Sequence, residues 1–498
     1  MFFSRLGVGL AKLGHKITVL APSNARVPDF VSSDDAHVNF TYVKYPVDGA
    51  TPYFNSPENA RRMMAIAMAD SVVQSTRLVV EWRARVLRDS EQDCTRLLDN
   101  VELMRRIRDA KNQFAIMDPA TGVSCYYTLP LALGVPYASL STPIFPLEYF
   151  RIPRFESFPS AFSPTLQATF LERLKSFVVG RISAALMLYD DKTHFIKKYA
   201  PNHQPLLTTV EMMQRQSLWF LLENLSINPP LPEMPSTVAV GDIMAEAKVL
   251  PLTGEIKEFV SRSRRGVILV VFGSFCDLFP PSVLEPLCVA LTQATKRFGM
   301  SVIWKLKQTA GFCRHDDILI SPWVPQNDLL ADSRVRLFIS HAGWSSLIES
   351  VYHAKPVITF PIAFDQSANA LFAADKGYAV RMNLANFSSE SLLSNIDKVL
   401  TDPSYKRNAQ LASDILRDRP DTAAQRVSAM IDHVLKYGDR HLRSGAFDLS
   451  PLQFMMFDVF AVLFAAAAST FLCFSCCCYL CIGHCCRSRR HCEKPKLH

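Results

Sequence analysis

No Asp-x-Asp pair occurs anywhere in the 498 residues, so one common cradle for a divalent ion is missing. Five of the 13 cysteines (Cys94, Cys125, Cys276, Cys288 and Cys313) are scattered, with no CxxC pair and no zinc-finger spacing among them. That pattern argues against a zinc module and against a disulfide framework. No basic stripe with interleaved aromatic residues is present, so nucleic acid is not an expected partner. The formal net charge of +8 does not alter this, because residues 483–498 set Arg487, Arg489, Arg490, Lys494 and Lys496 against Glu493 alone, and the remainder is close to balanced. The first residues are not expected to act as a cleavable leader, since Met1 heads an amphipathic helix without a cleavage site.

What is present is a large apolar fraction, 49% of residues, on a chain long enough for two soluble domains. Strand-like runs alternate with helical ones. The first series predicts strands at Ile17–Ala21, Val38–Tyr45, Phe114–Asp118, Tyr137–Ser141 and Ala184–Tyr189, with helices over Ala60–Leu87 and Thr169–Val179. A proline-rich linker covers residues 228–235. A second series predicts strands at Val267–Phe272, Ser301–Lys305, Ile318–Ser321, Leu337–Ser340, Val357–Phe360 and Ala379–Met382. Such alternation implies α/β architecture, with parallel sheets covered on both faces. The opening MFFSRLGVGLAKLGHKITVLAP reads as helix then strand, the second half of a βα unit, so a preceding strand is expected and not found in the chain.

Val459 to Ile482 carries no charge and spans about 36 Å as a helix, enough to cross a bilayer core of about 30 Å. The basic segment after it places the C-terminus in the cytosol by the positive-inside rule. Eight cysteines fall between Cys473 and Cys492, in or beside this segment, where metal binding, plain thiols and lipid attachment all stay open. The expected division is 1–232, 233–445, a membrane helix at 459–482 and a cytosolic tail at 483–498.

The densest chemistry lies in WVPQNDLLADSRVRLFISHAGWSSLIES and the following PVITFPIAFDQSANA. His341 stands at the carboxyl end of a strand, where open α/β sheets bind ligands. A tight turn through Gly343 leads to a helix expected to start at Ser345, and the free N–H groups of that start favour phosphate. Ser346 adds a hydroxyl. Glu349, one turn in, can accept hydrogen bonds from ribose. Trp323 offers a flat face for a base and Gln326 an amide for its edge. Asp365 and Gln366 offer an acceptor and an amide for sugar hydroxyls. Singly, each has an ordinary structural reading, as core, turn or solvated helix face. Their order and spacing together describe a holder for a nucleotide diphosphate sugar.

This block resembles the signature of the family 1 UDP-sugar-dependent glycosyltransferases, and most of all the animal UDP-glucuronosyltransferases. GHKITVLAP, FAIMDPATG, LGVPY, TFLERLKSF, VVFGSF and HLRSGAFDLSPLQ extend the likeness over essentially the whole chain. The resemblance implies a GT-B fold, with an acceptor domain before a donor domain. It implies that Trp323 stacks on uracil, that Gln326 bonds the uridine, and that His341, Ser346 and the Gly343 backbone hold the diphosphate. It further implies Glu349 on the ribose, Asp365 and Gln366 on the sugar, and the Gly273-Ser274 loop against the sugar-phosphate. Ala342 and Ser345 depart from the usual glycine and asparagine.

By the same resemblance, Asp118 orients a general-base histidine whose place is just ahead of the helix that begins at Met1. That histidine is absent from the chain, and His15, His194 and His203 do not match it. The expected partners are a UDP-sugar and a small lipophilic acceptor, with a membrane anchor, no cofactor and no metal; a homo-oligomer is left open. The reaction implied is inverting transfer of glucuronic acid or glucose to a hydroxyl in the endoplasmic reticulum lumen. The alternative is a non-catalytic UDP-sugar-binding or partner subunit. Asn39, Asn224 and Asn386 head glycosylation sequons.

Overall fold

Apolar runs short enough for strands alternate with amphipathic helices, and the chain folds accordingly. The computed structural model describes residues 2–23, 39–46, 57–68, 72–118, 124–141, 169–171, 192–230, 233–245, 248–273, 279–307, 313–454 and 456–492. Residues 1–442 form one compact unit and residues 443–498 a second. The strand expected at 184–189, the helix expected beyond residue 171, Cys276 and Ser274 lie outside the described residues.

In the first series, α1 (Phe2–Lys12) buries Leu6 and Leu10. Gly14, at φ 97°, makes the left-handed turn that reverses the chain into β1 (Ile17–Pro22). β1 pairs in parallel with β2 (Phe40–Tyr45), from Ile17 against Phe40 to Pro22 against Tyr45. The long helix expected over 60–87 is instead two, α2 (Pro57–Ala67) and α3 (Val72–Asp99).

A separate parallel sheet has the order β3 (Ala115–Met117), β4 (Tyr137–Ser141), β5 (Leu218–Leu221), β6 (Thr237–Ala239). Among the described residues the first series thus holds two sheets instead of one. β5 and β6 are not predicted from the sequence, being too short for periodicity to reveal them. β6 pairs with β5, Trp219 against Thr237. The proline-rich stretch therefore connects two strands of one sheet, and the chain passes to the second series only after β6.

The second series forms one six-stranded, all-parallel sheet from β7 (Val267–Val271), β8 (Ser301–Lys305), β9 (Ile318–Ser321), β10 (Val335–Ser340), β11 (Val357–Thr359) and β12 (Ala379–Arg381). The spatial order is β12-β11-β10-β7-β8-β9. β7 is buried along its whole length, as its uninterrupted Val-Ile-Leu-Val-Val run requires. The covering helices include α4 (Pro281–Phe298), α5 (Gln326–Ala331), α6 (Trp344–Tyr352) and α7 (Gln366–Asp375).

The last helix of this unit, α8 (Ala423–Tyr437), starts at a capping box in which Thr422 and Gln425 bond reciprocally. It returns to the first series. A Cβ on Gly9 of α1 would come within 2.6 Å of the Ala424 Cβ, so the two helices touch almost backbone to backbone. Arg426 donates to the Ala239 carbonyl at 3.1 Å and forms a largely buried ion pair with Asp242. His15 Nε2 meets Ser428 Oγ at 2.6 Å, and Ser217 Oγ donates to Asp439 at 2.5 Å.

Two disulfides, Cys94–Cys125 and Cys288–Cys313, correct the expectation of none. Their partners are 31 and 25 residues apart and meet only through tertiary folding, so spacing along the chain could not reveal them. In the second unit, α9 runs from Phe457 to Cys492. Its Phe457–Ile482 portion is long and apolar enough to cross a membrane and is not buried in protein. The helix outlasts the apolar segment, so residues 483–492, expected as tail, are helical.

Candidate functional site

The sheet order places the site. From β7 the chain builds outward through β8 and β9, then returns to lay β10 on the other side of β7 and continues through β11 and β12. The β7/β10 boundary is thus a topological switch point, where the loops beyond the carboxyl ends part to form a crevice. Gly273 follows β7 and His341 follows β10. Trp323 follows β9, and Asp365 and Gln366 follow β11. Every residue read as donor-binding and described here stands beyond a carboxyl end of this one sheet or on a helix that begins there.

At the switch point the His341 ring lies against two glycines. A Cβ on Gly273 would approach Nε2 to 2.9 Å, and one on Gly343 to 2.6 Å. Both positions need glycine because the imidazole occupies the space. Gly273 also has φ 62°. Burial pushes the His341 pKa down to about 4; the Lys305 charge acts the same way, against a backbone hydrogen bond with Val271. The ring is therefore neutral at physiological pH.

α6 begins at Trp344, one residue earlier than expected, with Gly343 as its cap. No side chain caps this start. Ser345 is half-buried and Ser346 buried in its first turn. Trp344 is buried and donates its Nε1–H to the Gly241 carbonyl at 3.1 Å, which ties the site helix to the segment after β6. Gln326, first residue of α5, donates to Glu349 at 2.7 Å and to Ser346 at 3.3 Å. Burial raises the Glu349 pKa to about 7, a Gln326 hydrogen bond and the Arg5 charge oppose the rise, and Asp328 adds to it. The Trp323 side chain is 60% exposed, a free flat face.

Sequence reasoning missed Asn369. It is fully buried, and its amide donates to the Ala342 carbonyl at 3.1 Å and to Asp365 at 2.8 Å. It thus fastens the His341 turn to the acidic loop. Nothing in a lone helical asparagine signals this. Asp365 is half-buried, and desolvation raises its pKa to about 6 against the Asn369 hydrogen bond. The Gln366 carbonyl accepts from Ile362 N at 2.8 Å and Ala363 N at 3.0 Å, so its oxygen shapes the loop and only its amide nitrogen is left for a ligand.

Asp118 follows β3, is exposed, and belongs to the first series. The histidines set aside as bases are engaged elsewhere: His15 with Ser428, His194 with Glu91 at 3.1 Å, and His203 with the Pro205 carbonyl at 3.2 Å.

Ala342 is fully buried at φ 61°, a left-handed conformation that costs a non-glycine residue about 1–2 kcal/mol. Ala342→Gly is expected to raise the unfolding free energy by about 1 kcal/mol, read by denaturant titration. A lower midpoint would show that the methyl packs usefully.

A neutral buried imidazole, a bare helix start, a buried carboxylate and an exposed indole around a switch-point crevice suit a nucleotide diphosphate with a sugar attached. The fold is GT-B, that of glycosyltransferases with paired Rossmann-like sheets. The rice protein Os79 solved in complex with UDP matches at a TM-score of 0.57 and 16% identity, over 87% of this chain and 98% of that one.

The chain belongs to the family described as UDP-glucoronosyl and UDP-glucosyl transferase, whose model matches residues 5–491. It is 28% identical to UDP-glucuronosyltransferase 2A3 of Cavia porcellus, over 94% of this chain and 88% of that protein. It is also 28% identical to 2-hydroxyacylsphingosine 1-beta-galactosyltransferase of Mus musculus, over 79% of this chain and 72% of that protein. It is a glycosyltransferase enzyme that uses a UDP-sugar donor.

Proposed function

We propose that this enzyme transfers glucuronic acid or glucose from its UDP-sugar to the hydroxyl of a small lipophilic acceptor, with inversion and without a metal. The observation that carries the reading is the convergence of His341, Glu349, Trp323, Asp365 and Gln366 on one crevice. In this reading uracil stacks on Trp323 with Gln326 at its edge, and Glu349 takes the ribose hydroxyls. Neutral His341, Ser346 and the N–H groups at Gly343 and Ser345 hold the diphosphate and stabilise the negative charge that grows on it as the sugar departs. Asp365 and the Gln366 amide orient the sugar. The acceptor oxygen attacks the anomeric carbon from the face opposite UDP, the bond to UDP breaks, and Asp118 orients the group that takes the hydroxyl proton.

The test is turnover by the full-length protein in microsomes across UDP-glucuronic acid, UDP-glucose and UDP-galactose with phenolic and lipid acceptors. Transfer of one of the first two sugars, inverted at the anomeric carbon by NMR and indifferent to chelator, is expected. Tight donor binding with no transfer to any acceptor would favour a donor-holding partner subunit.

Two substitutions probe the binding roles. Trp323→Ala should weaken both uridine and UDP by roughly 1–3 kcal/mol, the range of base–aromatic stacking. His341→Ala should weaken UDP while leaving uridine nearly unchanged. Calorimetry that finds equal losses for the two ligands would remove His341 from the phosphates.

We place the soluble unit in the endoplasmic reticulum lumen, with α9 as a single-pass anchor and a cytosolic C-terminus. The two disulfides support an oxidising compartment for residues 1–442. Of the sequons, Asn224 is buried and its Oδ1 accepts from Ser226 N, so it suits no glycan in the folded protein, whereas Asn386 is exposed. An endoglycosidase shift that disappears in Asn386→Gln is the expected sign of lumenal placement.

A further inference from the structure

The cysteines of this chain exist in two states. Among the described residues, the four before position 443 are all in disulfides. Beyond it, Cys473, Cys476, Cys477, Cys478 and Cys481 are free and exposed. They lie on α9, in and at the end of its apolar portion.

Their depth can be worked out. A bilayer core of about 30 Å takes about 20 residues of helix. Counted from Asp458, the first charge outside the span, the core ends near Cys478. Cys481 then stands just beyond it. The sequence adds Cys485 and Cys486 on the same helix, ahead of Arg487, Arg489 and Arg490, which must stay in the headgroup region. Successive positions 473, 477 and 481 recur at i+4, so they run as one stripe along the helix toward the membrane surface. Thiols placed between an apolar span and a basic cluster meet both the aqueous side, from which a co-substrate arrives, and the leaflet, into which an attached chain can fold.

We infer that Cys478, Cys481, Cys485 and Cys486 are sites of S-acylation by long-chain fatty acids. The cysteine sulfur, its proton passing to solvent, attacks the thioester carbonyl of a fatty acyl-coenzyme A. A new carbon–sulfur bond forms, the bond to the coenzyme sulfur breaks, and coenzyme A leaves as its thiol. Nothing is oxidised or reduced. The inference rests on the cytosolic orientation of the C-terminus proposed above. Cys473, Cys476 and Cys477 lie deeper and remain thiols.

The full-length chain with a C-terminal tag is expressed in cells fed an alkynyl fatty acid, recovered, and coupled to a fluorophore. Label that neutral hydroxylamine removes is expected. It should fall at least tenfold when Cys478, Cys481, Cys485 and Cys486 are all changed to Ser, and persist when Cys473, Cys476 and Cys477 are changed instead. Retained UDP binding shows that each variant is folded. Protease treatment of sealed microsomes reads orientation separately. A protected tag would overturn the topology beneath the inference. An accessible tag without label, or label that survives the fourfold change, would overturn the acylation or its assignment. A reductant-sensitive dimer in place of label would overturn it too, identifying these thiols as a cross-link between copies.

Discussion

Uridine affinity is expected to rise about tenfold between pH 6 and pH 8, the change in ionised fraction for a carboxyl titrating near 7. Glu349 is that group, held at about 7 by burial. Its protonated form can present one acceptor oxygen fewer to the ribose, and the 2.7 Å bond from Gln326 already occupies part of its capacity. Uridine is the chosen ligand because it lacks the phosphates of UDP, which titrate in the same range. Ribose hydroxyls donating to the carboxylate favour the ionised form, so binding near pH 7 should release protons, measurable as a dependence of binding heat on the buffer.

Stability of the unliganded protein runs the other way. The folded-state pKa lies above the unfolded value, so between about 4.5 and 7 the folded chain holds a proton that the unfolded chain has lost. The contribution of Glu349 to stability therefore falls as pH rises through that window and is flat above it. Glu349→Gln should flatten the uridine profile. Glu349→Ala should cost UDP affinity about 10²-fold, the loss of hydrogen bonds to a charged group. A uridine profile that stays flat in the unaltered protein would take Glu349 out of the ribose site.

Removal of the Cys288–Cys313 disulfide is expected to lower the unfolding free energy by about 3.5 kcal/mol, the chain-entropy value for a loop of this length. The bridge ties α4 to the segment that leads into β9, which carries Trp323 at its end. Cys94–Cys125 should contribute a similar amount, but its sulfurs are fully buried, whereas Cys288 and Cys313 are half-exposed. Mild reductant should therefore open the 288–313 bridge first, and the 94–125 bridge only as the unit unfolds. Thiol titration along a denaturant series separates the two. Unchanged stability in Cys288→Ser/Cys313→Ser would mean that the bridge constrains little, and both bridges opening together would mean that exposure does not order their reduction.

Much of this was legible in the residues. Tyr137–Ser141, Ser301–Lys305 and Ile318–Ser321 appear with the predicted bounds, because apolar runs between breaker residues leave little freedom. The positions of three residues on their elements were legible through spacing: His341 at a strand end, Glu349 in the helix that follows, and Asp365 after the next strand. The β7/β10 switch point was not, since strand order depends on which edge each returning strand joins. The roles of Asn369 and Trp344 were hidden for a related reason. Each acts by donating to a backbone carbonyl, Ala342 and Gly241 respectively, and a carbonyl belongs to every residue. The disulfides were lost to the same distance in sequence.

The return of α8 to the first series has a mechanical consequence. Gly9 against Ala424, Arg426 on Asp242 and Ala239, and Ser217 on Asp439 fasten the two series along α8 and just past its end. Because Leu6 and Leu10 of α1 share one apolar cluster with Phe220, Leu269 and Trp344, the two series are also joined through their core, and strain at one contact is borne by both. Gly9 sets how closely α1 and α8 can meet, and a bulkier residue there would have to push Ala424 aside and so load that shared core.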